Sequence, residues 1–152
     1  MRDDFTDLVA PHLPAMAHLA ARLAPDADRD DVLQEALSGA WRKFGQYDQA
    51  RGSLRNWLLA IVADQARKAH RRSHSHRELL DTPVWQQPAE LDLERAVRAL
   101  APRQRLAVAL HYFLDLPVAE VAAVMGCAEG TVKATLSQAR DRLRDALGED
   151  YR

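Results

Sequence analysis

The chain has 152 residues, 47% hydrophobic and 28% charged, enough for one domain or two very small ones with packed cores, and it is expected to be soluble and folded. Its net charge of -1 hides a segregation: residues 1–64 carry ten acids against seven bases, whereas 65–77 carry five bases and no acid. The single Cys127 excludes an internal disulfide and reads as a small buried hydrophobe. Met1-Arg2-Asp3-Asp4 is no signal peptide, and no apolar run nears the roughly 20 residues a bilayer crossing needs, so a cytoplasmic protein without membrane insertion is expected.

Apolar residues recur at helical spacing throughout and never alternate as strands do, so the expected fold class is all-α. A first helical region over about 3–23 places Phe5, Leu8 and Val9 on one side, then Met16, Leu19, Ala20 and Leu23, with Pro11 and Pro14 bending or breaking it. Asp28 caps a second helix to about Phe44. Its core face is Val32, Leu33, Ala36, Leu37, Ala40, Trp41 and Phe44, and its polar face is Asp31, Gln34, Glu35, Ser38 and Arg42. After a loop from Gly45 to Gly52, Ser53 caps a third helix whose Leu54, Trp57, Leu58, Ile61 and Val62 pack inward. Trp41 and Trp57 are both assigned to the core. The end of this helix is a basic belt of Arg67, Lys68, Arg71 and Arg72, a spacing suited to nucleic-acid phosphates.

The stretch RSHSHRELLDTPVWQQP (72–88) has two prolines and no period and reads as a linker. The expected organisation is a helical domain over 1–72, a flexible linker over 73–90 and a second domain over 91–148. Leu91, Leu93, Ala96, Val97 and Leu100 mark a fourth helix. Pro102 opens a fifth carrying Leu106, Val108, Ala109, Leu110 and Tyr112, Pro117 begins a sixth, and a seventh runs from about Ala128 to Leu147.

The last two helices are joined so closely that they must cross steeply, as in a helix-turn-helix. Val118, Val121, Ala122 and Met125 form an apolar side, Gly126 supplies a left-handed stop, and Val132, Leu136, Ala139 and Leu143 face back. Glu129, Lys133, Ser137 and Arg140 then point outward, with Gly130 and Thr131 near the helix start, where a phosphate can approach. Such a face can enter a major groove. Short crossed helices also occur as plain packing units.

The segment LPVAEVAAVMGCAEGTVKATLSQARDRL resembles the C-terminal helix-turn-helix of the extracytoplasmic-function (ECF) group of bacterial RNA polymerase sigma factors, and LERAVRALAPRQRLAVALHYFLDL resembles its lead-in. Independently, DRDDVLQEALSGAWRKF (28–44) and LRNWLLAIVADQARKAHRR (54–72) resemble the two most characteristic helices of the family's N-terminal domain. The resemblance implies a sigma region 2-like bundle followed by a region 4-like helix-turn-helix. It implies that Asp31, Gln34, Glu35 and Arg42 contact core RNA polymerase. The upstream promoter element would be met by Glu129, Gly130, Thr131, Lys133, Ala134, Ser137, Gln138 and Arg140. The separated strand of the start-proximal element would be held by Asp64, Arg67, Lys68, Arg71 and Arg72, with the loop containing Tyr47 as a pocket for extruded bases. An anti-sigma partner covering both domains is a further expectation from the family.

Three departures from the family pattern stand out. Asp64 replaces a usual asparagine and would repel a phosphate unless aimed at a base amino group or a neighbouring arginine. In the recognition helix, Ala128 replaces a usual cap serine, and Thr135 and Gln138 stand where basic residues are common, which predicts weaker and more base-dependent binding. His70, His74 and His76, with Cys127 far away, match no common zinc spacing, so no metal is assigned; charging of these histidines at mildly acidic pH would strengthen the belt.

The leading expectation is a transcription initiation factor, not an enzyme, needing no cofactor because the polymerase performs the chemistry. The alternative is a sigma-like adaptor that binds an anti-sigma factor or polymerase without productive promoter recognition. A dimeric regulator of the LuxR type would leave 1–90 unexplained, and no nucleophile-base pair or metal cluster supports a hydrolase.

Overall fold

The computed structural model describes residues 2–24, 28–77 and 90–148, and among these there is no strand. Eight α-helices are described: α1 (Arg2–Val9), α2 (Leu13–Leu23), α3 (Asp28–Lys43), α4 (Leu54–Arg77), α5 (Glu90–Arg98), α6 (Pro102–Val108), α7 (Val118–Met125) and α8 (Glu129–Leu147).

In the first half, the prolines break the opening region as their geometry requires. Pro11 lies in a 3₁₀ turn, Ala10–His12, and Pro14 in the first turn of α2, where its missing N–H costs nothing. Helix α3 begins with Asp28, Asp30 and Asp31 and ends with Arg42 and Lys43, a charge order that complements the helix dipole. Ser53 Oγ accepts from the Asn56 backbone N–H at 3.1 Å and so caps α4. Helices α2 and α3 both pack on α4. Met16, Leu19, Leu58, Leu59 and Val62 are fully buried between them, each such side chain contributing about 1.5–3 kcal/mol of burial.

Several features differ from the sequence reading. Trp41 is not a core residue: it is 41% exposed, with Phe5 edge-to-face against it at 5.2 Å. It sits at the border of the apolar stripe, where cover depends on whether the short α1 reaches over it. Helix α4 also continues through 73–77 and α5 already begins at Glu90, both within the stretch 73–90 assigned to the linker; 78–89 lie outside the described residues.

In the second half, α5, α6 and α7 pack around α8, with Leu110, Val121, Val132 and Ala139 at the centre. Leu93 of α5 is 46% exposed rather than buried, and the side chain of Leu91 lies outside the described residues. Helix α6 does not end at Val108 but widens into a π turn, Ala109–Phe113. There Leu114 N–H donates to Ala109 O at 3.0 Å and Leu116 N–H to Leu110 O at 3.0 Å, while Asp115 takes a left-handed φ of 58°.

The halves touch. Helix α4 packs along α7, and the π turn lies against α2, where the Arg22 guanidinium stands 3.9 Å from the centre of the Phe113 ring.

Candidate nucleic-acid and polymerase interfaces

The helix-turn-helix is built on one glycine. Gly126 has φ 67° and ψ 38°, so the chain leaves α7 in a left-handed step, and Cys127 N–H reaches back to Ala122 O at 3.1 Å. This is the Schellman closure, and it puts Cys127 partly buried against the core, as a small hydrophobe. Helix α8 starts three residues later with Ala128 at its N-cap and no side-chain hydrogen bond there. Its inner face, Val132, Leu136 and Ala139, is buried, whereas Glu129, Gly130, Thr131, Lys133, Ala134, Ser137, Gln138 and Arg140 are all exposed along the other.

Thr135 does not belong to that outer face. It is 9% exposed, and its hydroxyl donates to Thr131 O at 2.7 Å, so the residue cannot stand in for a DNA-facing cation. Its position three residues after Val132 and next to Leu136 is the signal that it lies on the buried stripe.

On α3, Asp31, Gln34, Glu35 and Arg42 are exposed together, and Arg42 Nη1 donates to Ser38 Oγ at 2.8 Å. The ridge is polar, rigid and open.

On α4, Arg67, Lys68, Arg71 and Arg72 are likewise exposed. Asp64 turns its two oxygens to the belt: Oδ1 accepts from Arg67 Nη2, and Oδ2 lies 3.3 Å from Lys68 Nζ. Partial burial alone would raise the Asp64 carboxyl, but hydrogen bonds and charge from Lys68 and then Arg67 outweigh it and hold its pKa below the ordinary 3.8. The acid is therefore aimed at neighbouring cations, two of which it partly neutralises. Asp64 also lines a cavity of about 410 Å³ between the halves, walled by Leu23 and Ala60 on one side and Leu106, Val124 and Met125 on the other. His70 borders the same cavity; the side chains of His74 and His76 lie outside the described residues.

The loop from Gly45 to Gly52 is folded tightly. Tyr47 O–H donates to Gly52 O at 2.9 Å, and its ring leans on Trp57 with centroids 5.3 Å apart. Beside them is a cavity of about 250 Å³ lined by Gln46, Tyr47, Asp48, Asn56, Trp57 and, from α7, Ala123. Asn56 is a residue that sequence reasoning missed. It is 9% exposed, and its Oδ1 has no hydrogen-bond partner among the described residues. A polar residue amid the apolar run of α4 was the available signal.

The family model of Sigma-70 region 2 matches residues 8–76, and that of Sigma-70, region 4 matches residues 90–143. The ECF RNA polymerase sigma factor SigM of Mycobacterium tuberculosis is 36% identical over 145 residues, covering 90% of this chain and 71% of that protein. The chain belongs to the ECF group of RNA polymerase sigma factors. This sigma factor is also 31% identical over 153 residues to the RNA polymerase sigma-E factor of Streptomyces coelicolor, covering 95% of this chain and 86% of that one. Among solved structures it is similar to the sigma factor RpoE in complex with the anti-sigma factor NepR from Bartonella quintana, with TM-score 0.74 and 29% identity over 97% of this chain and 98% of the other. It is similar too to CnrH in complex with the cytosolic domain of CnrY, with TM-score 0.74 and 27% identity over 99% and 91%. The region 2 match accounts for the half that a LuxR-type reading leaves unexplained. No described helix of this sigma factor is long and apolar enough to cross a membrane.

Proposed function

We propose that this sigma factor docks on core RNA polymerase through Asp31, Gln34, Glu35 and Arg42 of α3 and reads the upstream promoter duplex with the open face of α8. The belt on α4 then holds the separated strand nearer the start site. Acids and amides on a rigid helix set register and association rate against a cationic partner. The cavity beside Tyr47 receives an extruded base, for which the Tyr47 and Trp57 rings supply a stacking wall. On this reading the working units are a region 2-like domain over 1–72, a connection over 73–90 whose first residues prolong α4, and a region 4-like domain over 91–148. The factor acts in the cytoplasm and performs no chemistry itself. Because the two solved structures named above are complexes, with an anti-sigma factor in one and the cytosolic domain of CnrY in the other, we assign this chain an anti-sigma partner as well.

The observation that carries the reading is the two-sidedness of α8, buried on one face and open from Glu129 to Arg140 on the other. The adaptor reading draws on different observations, namely Asp64 tied to Arg67 and Lys68 and the uncapped start of α8. Transcription with purified core polymerase, scored on duplex and pre-melted promoter fragments, separates them. Initiation from duplex is expected. Stable binding to core with no initiation from either fragment sinks the initiation factor in favour of the adaptor.

A further inference from the structure

Arg140 lies about three turns beyond the start of α8, and it is restrained from outside its own helix. Its Nη1 donates to the phenol oxygen of Tyr112 at 2.9 Å. Tyr112 belongs to the π turn Ala109–Phe113 and is 48% exposed, so it is not there to fill the core. Its ring meets the His111 imidazole edge-to-face, with centroids 4.8 Å apart and planes at 72°. That imidazole is fixed in turn. His111 Nδ1 lies 2.9 Å from Leu116 O, and since a carbonyl only accepts, Nδ1 carries the proton and donates.

We propose that Tyr112, braced by His111, is a positioning residue that presets Arg140 for a backbone phosphate of the upstream promoter duplex. The inference rests on the reading of the outer face of α8 as the duplex-contacting one. An arginine on an open helix surface ordinarily loses rotamer freedom when it binds, and a side chain already held loses less. A guanidinium has five N–H donors, so the bond to Tyr112 leaves others for a phosphate. Both ring-bearing residues, His111 and Tyr112, lie within the π turn Ala109–Phe113, which is wider than the α-helical turns before it.

The test uses the full chain and a labelled duplex enriched from random-sequence DNA on the wild-type protein, titrated over a range of salt concentrations. Tyr112→Phe removes one hydroxyl from a half-exposed ring, and unchanged thermal unfolding checks that the fold is kept. Tyr112→Phe is expected to weaken binding roughly three- to tenfold. Arg140→Ala is expected to weaken it at least as much and to lower the slope of log affinity against log salt by about one. The double variant should bind no more weakly than Arg140→Ala alone, because Tyr112 acts through Arg140.

Two results overturn the proposal while leaving the reading of α8 intact, provided Lys133→Ala still weakens binding. One is full affinity in Tyr112→Phe; the other is an equal loss from Tyr112→Phe with and without Arg140. If the wild-type chain enriches no duplex, or Lys133→Ala and Arg140→Ala both bind normally, the reading of α8 fails and the inference with it.

Discussion

Arg55 of α4 and Glu120 of α7 form an ion pair at 2.9 Å, although 65 residues separate them in the chain. Each is a little over one-third exposed, so the pair contributes about 0.2–1 kcal/mol, screened by salt, to holding the halves together. Reversing either charge should therefore loosen the contact between α4 and α7, and the exchanged pair Arg55→Glu with Glu120→Arg should restore it. Small-angle scattering reads this as a rise in radius of gyration for each single variant that the double variant reverses. Identical scattering from all four proteins would show that the pair has no part in closure.

Asp64 pairs with both Arg67 and Lys68 and offsets part of their charge. Asp64→Asn should strengthen binding to single-stranded DNA several-fold and steepen its salt dependence, as titration at two salt concentrations would show. The same pair has a pH signature. A carboxyl whose folded pKa is depressed stabilises the fold above its unfolded value of about 3.9, and that contribution disappears as pH falls through the folded value. At more than one-third exposure the effect stays below about 1 kcal/mol. The melting temperature of the wild type should thus lose its margin over Asp64→Asn below about pH 4.

Ala128 leaves the first N–H groups of α8 without a side-chain cap, at φ -75° and ψ 154°, which a serine adopts equally well. Ala128→Ser should stabilise the protein by about 1 kcal/mol, a rise of roughly 2–4 °C in melting temperature. Thr135→Arg should instead destabilise by about 3 kcal/mol or more, because an unpaired cation would be buried there. Calorimetry distinguishes the two directions.

Tyr47 and Asn56 wall the smaller cavity. Tyr47→Ala should lower initiation from duplex promoters about tenfold, since a lost stacking platform is worth about 1–3 kcal/mol per base. Pre-melted templates should be affected far less. Equal loss on both templates would indicate damage to the loop rather than to strand capture.

Much of this was legible because it is local. Gly126, the broken opening helix, the Ser53 cap and the buried stripes of α3, α4, α7 and α8 follow from spacing and backbone preference. Trp41 was misread because its cover depends on Phe5 of another helix. Thr135 belongs to the buried stripe with Val132 and Leu136, a place that helical spacing shows and a family pattern does not. The π turn has no signature that separates it from the end of α6 in a single sequence. Arg55 with Glu120, and Tyr112 with Arg140, exist only once distant segments have been brought together. The outer faces of α3 and α8 needed no such assembly, because polar residues at helical spacing already declare them.

Ala123 belongs to the second half, yet its methyl group closes a space whose other walls come from the first. Neither half alone, then, defines the shape of that recess. On the proposed reading, whatever shifts α7 against α4 reshapes that recess as well, so the pocket for a base and the placement of the duplex-reading half are mechanically coupled.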